Sequence, residues 1–212
     1  AREVGGDYYD FSQLSESRFT LIMGDVSGKG MPAALYAMKL QALFEMLGKT
    51  DVGPKDMLVE MNDVICERIR KDYFITVVVA LLDFERKFLR LARAGHNLPL
   101  LYKAKQGAAS WLNPQGVGIG MKAGAGFRTI LEEIVVPLDV GDVMLFYTDG
   151  IPEAMNRFDQ EFGYQRLEKV LSASAHLEAE GIKEQLLVHV RRFVQDVPLA
   201  DDATLVVAKV TD

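Results

Sequence analysis

An apolar stretch that ends on an acid and turns at once into a helix constrains this chain most. Residues 18–23, Arg18-Phe19-Thr20-Leu21-Ile22-Met23, are apolar enough for a buried strand. Gly24-Asp25-Val26-Ser27-Gly28-Lys29-Gly30 follows, and Gly28 and Gly30 permit a turn that other residues would strain. Pro32 suits the first turn of a helix, which 33–47 continue. Asp25 is therefore expected at the end of a rigid strand beside open backbone. An acid in that position reads as a ligand before it reads as a solvated surface charge.

Other acids fall in similar places. Asp7 and Asp10 lie in Glu3-Val4-Gly5-Gly6-Asp7-Tyr8-Tyr9-Asp10-Phe11. Asp149 ends the apolar run Val143-Met144-Leu145-Phe146-Tyr147-Thr148 and precedes Gly150. Asp201 and Asp202 stand before Ala203-Thr204-Leu205-Val206-Val207-Ala208. Carboxylates gathered from several strand ends would repel one another unless a cation sat among them. Hard divalent cations such as Mg²⁺ and Mn²⁺ prefer such oxygen ligands.

The 212 residues suit one large domain or two small ones. With no internal repeat and no low-complexity linker, they read as a single domain, 1–212. A hydrophobic content of 49% supports a substantial core, and a net charge of −6 argues against a nucleic-acid-binding surface. Cys66 is the one cysteine, which excludes an internal disulfide and fits a cytoplasmic location. His96, His176 and His189 have no zinc spacing. No apolar run reaches membrane-span length and no signal peptide is seen, so no membrane contact is expected. The chain starts without Met at what reads as mid-strand. The expectation is an excised domain whose upstream sensor or regulatory region is missing.

Strands are expected over 4–11 and 18–25, joined by a polar turn at 13–17. A helix over 32–48 would turn Leu35, Met38, Ala42, Leu43, Met46 and Leu47 inward and stop at Gly48. A second, over 54–71, would bury Leu58, Met61, Ile65 and Ile69. Strands follow at 74–83, 88–94 and 98–103, with a short one at 110–112 inside the glycine-rich 105–126. Strands at 130–137 and 142–149 precede helices at 164–172 and 178–196, the latter lined by Ile182, Leu186, Val190 and Phe193. A strand at 203–210 closes the chain. Short connections imply mostly antiparallel sheets. The expected class is α+β, an αββα sandwich of two sheets with a helix pair on each outer face.

Some motifs look right and fail. Gly5-Gly6-Asp7-Tyr8-Tyr9 is close to the diguanylate-cyclase signature but lacks its Glu and follows only four residues. Gly24 to Gly30 is one residue short of a P-loop, and Gly30 stands where Ser or Thr should follow Lys29. Cys66 has no glycine-rich phosphate loop after it and reads as a structural thiol. His96, in Ala94-Gly95-His96-Asn97-Leu98-Pro99, suits a turn between strands better than a general base.

Taken together the motifs resemble the metal-dependent protein phosphatases, and most closely their bacterial SpoIIE-like branch of serine phosphatases in sigma-factor control. The matching segments are the Glu3-to-Phe11 stretch, Gly24 to Gly30 with Ala33-Ala34-Leu35, Ala94-Gly95-His96-Asn97, Tyr147-Thr148-Asp149-Gly150-Ile151 with Glu153-Ala154, and Asp201-Asp202-Ala203-Thr204. They occur in the family's order and span nearly the whole chain. The resemblance implies the αββα fold. It also implies two Mn²⁺ or Mg²⁺ ions bridged by Asp25, with Asp7 and the Val26 carbonyl serving one ion and Asp149 and Asp201 the other. Asp202 takes a position often held by Asn, so Asp201 is the expected ligand.

The implied reaction is direct attack of a metal-bridging hydroxide on a phosphoserine or phosphothreonine. The implied substrate is a phosphorylated regulatory protein, an anti-sigma-factor antagonist. An upstream sensor in the full-length chain is implied too, and a homodimer is left open. Departures remain. Ser27 stands where the wider family often has a general-acid His, Lys29 where many SpoIIE-like members have His, and Pro152 where Thr is common. Arg2 stands near the place of a phosphate-gripping Arg. The alternative is a catalytically silent partner-binding module of the same fold. The Ser27-to-Met31 turn joins Asp25 to the first helix, so the first helix pair is expected to act as a switch on metal binding.

Overall fold

The computed structural model describes residues 5–211. Arg2, Glu3 and Val4 lie outside the described residues. In chain order the elements are β1 (Tyr8–Ser15), β2 (Arg18–Val26), α1 (Met31–Leu47), α2 (Pro54–Cys66), β3 (Ile75–Asp83), β4 (Phe88–Ala94), β5 (Leu100–Lys103), β6 (Ala108–Trp111), α3 (Ala125–Ile130), β7 (Glu133–Pro137), β8 (Val143–Tyr147), α4 (Tyr164–Ser174), α5 (Ala179–Val194) and β9 (Leu205–Lys209). They divide into two compact units, Ala1–His96 with Asn113–Pro137 and Asn97–Leu112 with Leu138–Asp212. Each unit holds one antiparallel sheet with a helix pair on one face, so the expected α+β class holds.

The first unit's sheet runs β1-β2-β3-β4-β7. One face of β2 and β3, with Ile22, Val26, Ile75, Val77 and Val79, joins Leu40 and Phe44 of α1 and Leu58, Met61 and Ile65 of α2 in a core. The other face of these strands is buried as well, at Leu21, Met23, Val78 and Ala80. β1 is an edge strand and alternates between half-buried and exposed residues. It begins and ends later than expected. An edge strand needs no apolar residue on its outer face, so Gln13 and Ser15 continue it where 13–17 reads as a turn. Glu133 ties the unit together. It pairs with Arg90 at 2.6 Å, and its Oε2 accepts the Lys55 amide at 3.0 Å, an anion at the start of α2.

The inward face of α1 differs from the expected one. Leu35, Met38 and Met46 are 59%, 64% and 68% exposed. Ala33, Leu40 and Phe44 are the buried residues, with Tyr36, Ala37, Leu43 and Leu47 packed beside them. The helix is apolar nearly all round, so periodicity does not choose a face. In α2, Leu58, Met61 and Ile65 are buried as expected. The helix stops at Cys66 rather than 71, because the Arg70 amide is taken by the Tyr36 hydroxyl at 3.1 Å. The short α3 starts at the end of the glycine-rich 105–126 and includes Ile130, so the strand expected from 130 begins at Glu133 instead.

The second unit's sheet runs β6-β5-β8-β9. Its core joins Leu100, Val143, Leu145 and Tyr147 to Leu167, Leu171, Ile182 and Leu186 from α4 and α5. Phe193 is only half-buried. Asp142, wholly buried, accepts bonds from the Ala104 amide at 2.9 Å, the Asp139 amide at 2.8 Å and Lys103 Nζ at 2.5 Å. A buried carboxylate with this many donors is satisfied rather than strained.

Candidate functional site

The register of the first sheet fixes how Asp7 relates to Asp25. Tyr8 pairs with Gly24, and the Val26 amide donates to the Gly6 carbonyl at 3.3 Å. Between these two pairings Asp7 stands opposite Asp25. Residues directly opposite in an antiparallel ladder share a face, with Cβ atoms about 4.5–5.5 Å apart, and like charges so placed are destabilising. Thr76 of β3 pairs with Asp25 on the other side. Strand alternation puts this row on the face away from α1 and α2, since Ile22 and Val26 belong to the helix-side core.

Backbone packs tightly around these oxygens. A Cβ on Gly6 would lie 2.7 Å from the Val26 carbonyl oxygen and 3.0 Å from Asp25 Oδ1. Only glycine leaves that space open. The turn after Asp25 is anchored by the Ser27 amide on the Phe74 carbonyl at 2.9 Å and by the Phe74 amide on Ser27 Oγ at 2.8 Å. Gly28 and Gly30 take φ values of 88° and 78°, the left-handed region that their sequence positions predict. Thr76 Oγ1 lies 3.4 Å from the Asp25 carbonyl oxygen and 3.0 Å from Nδ1 of the buried His96. The His96 carbonyl accepts a bond from Arg93 Nη1 at 2.8 Å, which fits a structural role for the 94–97 motif. Burial holds the Arg93 guanidinium below its ordinary pKa.

In the second unit β8 ends at Tyr147, two residues before Asp149. The Thr148 amide donates to the Thr204 carbonyl, and the Thr204 amide returns a bond to Thr148 Oγ1, both at 3.0 Å. These bonds extend the β8–β9 pairing up to the Asp149 turn. A Cβ on Gly150 would collide with the Asp202 carbonyl oxygen, so this glycine lets the two acidic segments meet backbone to backbone. Asp149 is half-buried and Asp201 exposed. Both act on Glu153, whose carboxyl is pushed up first by burial, then by Asp149, Glu161 and Asp201. The Asp202 amide donates to Asp201 Oδ1 at 2.9 Å.

The first unit thus brings Asp7, Asp25 and the Val26 carbonyl together, and the second brings Asp149 near Asp201. Among the described residues no group of three or more His, Cys, Asp or Glu side chains could by itself hold a metal ion. The first unit's donors are two carboxylates and a carbonyl, an all-oxygen set that fits a hard cation. Asp10 stands apart. It receives the Tyr8 hydroxyl at 3.1 Å and the Phe11 amide at 2.8 Å. Burial pushes the half-buried Cys66 thiol up, away from the nucleophilic thiolate. Thr76 was not found by sequence reasoning. No motif marks it, and only strand register places it beside Asp25.

The family model described as Stage II sporulation protein E (SpoIIE) matches residues 15–211. The chain belongs to the SpoIIE family. This SpoIIE-family chain is 28% identical over 212 residues to "Phosphoserine phosphatase RsbU" of Bacillus subtilis (strain 168), which covers 99% of this chain and 60% of that protein. It therefore spans less than two thirds of that relative's length. Among solved structures it is similar to the SiaA-PP2C domain of Pseudomonas aeruginosa, with a TM-score of 0.80 and 20% identity over 97% of this chain and 80% of that one. RsbX in complex with magnesium gives a TM-score of 0.74 and 14% identity over 98% and 88%. At these identities the likeness shows the fold alone. It is the fold that the motifs imply for SpoIIE-like proteins, with two antiparallel sheets and five helices among the described residues.

Proposed function

We propose that this chain is a metal-dependent phosphatase that hydrolyses a phosphoserine or phosphothreonine on a regulatory protein, an anti-sigma-factor antagonist in a bacterial signalling pathway. SpoIIE-family membership and the phosphoserine phosphatase named among its relatives support the activity. The observation that carries the reading is the pairing of Asp7 with Asp25 beside the Val26 carbonyl. Two opposed carboxylates and a backbone carbonyl on a rigid sheet are the oxygen donor set that a hard divalent cation takes.

In this reading Asp7, Asp25 and the Val26 carbonyl would serve as ligands, as would Asp149 and Asp201, for two Mn²⁺ or Mg²⁺ ions in all. The magnesium named with the related RsbX supports a hard divalent ion. When bound, such ions lower the pKa of water and neutralise charge on the phosphoryl oxygens. The protein's own residues do the positioning. Gly6 keeps space open at the Val26 and Asp25 oxygens, and the Ser27–Phe74 bonds hold the turn so that the Val26 carbonyl keeps its aim. The Thr148–Thr204 bonds hold the ends of β8 and β9 so that Asp149 and Asp201 keep their separation. Residues 1–212 act as one domain in this reading, a view supported by a family match that runs through both units.

The test is turnover of p-nitrophenyl phosphate, then of a phosphoserine protein, with Mn²⁺ and with chelator. Turnover of both that needs Mn²⁺ is expected. Turnover indifferent to chelator would overturn the reading. Phosphoprotein binding without any turnover would mark a silent module of the same fold.

A further inference from the structure

The second unit has a groove that the phosphatase reading does not use. It lies between α4 and α5 and encloses about 820 Å³. Its floor is apolar, with Phe162, Val170, Leu177 and Phe193. The Phe162 and Phe193 rings meet edge to face, 5.6 Å between centroids. Its rim carries the cations Arg166, Lys169 and Arg192, with the exposed His176 and His189 beside them. No carboxylate lines it, although the chain carries a net charge of −6. The acids of these helices, Glu168, Glu180 and Glu184, lie outside the lining. Among the described residues the ion pairs of α4 and α5 are those of Lys183 with Glu180 and Glu184, so the rim cations are not neutralised within the pair.

The cations come from both helices, Arg166 and Lys169 from α4 and Arg192 from α5. Arg166 is held in place. Its guanidinium carbon sits 4.7 Å over the Phe193 ring, and Nη1 donates to the Glu161 and Phe162 carbonyls at 3.1 and 2.8 Å. An apolar floor with cations from both helices and no carboxylate complements a helix with one apolar face flanked by acids, read through anchors at i, i+4 and i+7.

We propose that the groove between α4 and α5 docks an acidic amphipathic helix of a protein partner. The site lies wholly within the second unit and does not depend on the proposed chemistry.

The probe is a labelled synthetic helical peptide of about 14 residues, Leu at i, i+4 and i+7 with Glu on both flanks. Its binding to the whole chain is followed by fluorescence anisotropy at low and high salt. A twin peptide has Lys in place of Glu. Lys169→Glu with Arg192→Glu changes two rim residues, and circular dichroism checks that the fold is kept. Binding with a Kd of roughly micromolar order is expected, weakened about tenfold or more by the double substitution and clearly by salt. The Lys peptide should not bind. Equal binding of both peptides, or binding indifferent to the double substitution in the folded chain, would overturn the proposal. So would a groove that ignores the peptide yet takes up decanoate or anionic phosphatidylserine vesicles, since its occupant would then be a small amphiphile or a membrane.

Discussion

Asp7 and Asp25 are the two acids that strand register sets opposite each other. If a divalent cation holds these two carboxylates together, Asp25→Asn should remove the gain in melting temperature that Mn²⁺ gives over chelator. The same substitution should abolish Mn²⁺-dependent turnover. Thermal melts with Mn²⁺ and with chelator and a p-nitrophenyl phosphate assay check both halves, and near-parent activity at saturating Mn²⁺ would remove Asp25 from the site. Asp149→Asn and Asp201→Asn should each lose most activity, and Asp202→Asn less. The reverse order would exchange the last two roles. Cys66→Ser should keep activity within a few-fold, and alkylating the thiol should not inhibit, because burial keeps the thiol protonated. That Asp25 matters is legible from its place between an apolar run and a glycine turn. That Asp7 faces it is not, because facing is a property of register, and register depends on where β1 begins.

At the scale of elements, burial decides which substitutions cost stability. Met61 is wholly buried in α2, and Met61→Ala should cost about 2–5 kcal/mol by lost transfer energy and cavity. Met38, 64% exposed on α1, should cost less than about 0.5 kcal/mol on truncation to Ala. Urea titration of the two variants separates these outcomes, and similar costs would mean that the α1 faces are exchanged. Asp142→Ala should cost about 3 kcal/mol, since it strips two amides of their acceptor and Lys103 of its nearer carboxylate. The elements themselves were mostly readable. β2, β3, β4 and both second-unit helices fall within a few residues of their expected bounds, because apolar runs and amphipathic stripes are local signals. The faces of α1 were not readable, since a helix with little polarity contrast is oriented by its neighbours. β1 was displaced because an edge strand shows only half a pattern.

For the whole molecule, cation binding should appear as a gain in stability. At about one hundred times Kd, binding to the native state adds about 2.7 kcal/mol, or roughly 5–11 °C in Tm for a chain of this size. Scanning calorimetry with Mn²⁺ against chelator measures it, and Asp25→Asn should show far less. No shift for the parent protein would mean that the carboxylates do not hold the ion. No helix of the described residues is long and apolar enough to cross a membrane. The two units are not consecutive in the chain. It leaves the first at His96, returns at Asn113 and leaves again after Pro137. On the ribosome, β4 therefore waits with one edge bare until β7 has been made. At about 5–20 residues per second, the gap between Ala94 and Pro137 lasts roughly 2–9 s. During that interval the nascent chain exposes a hydrophobic strand edge, an opening that a chaperone can cover.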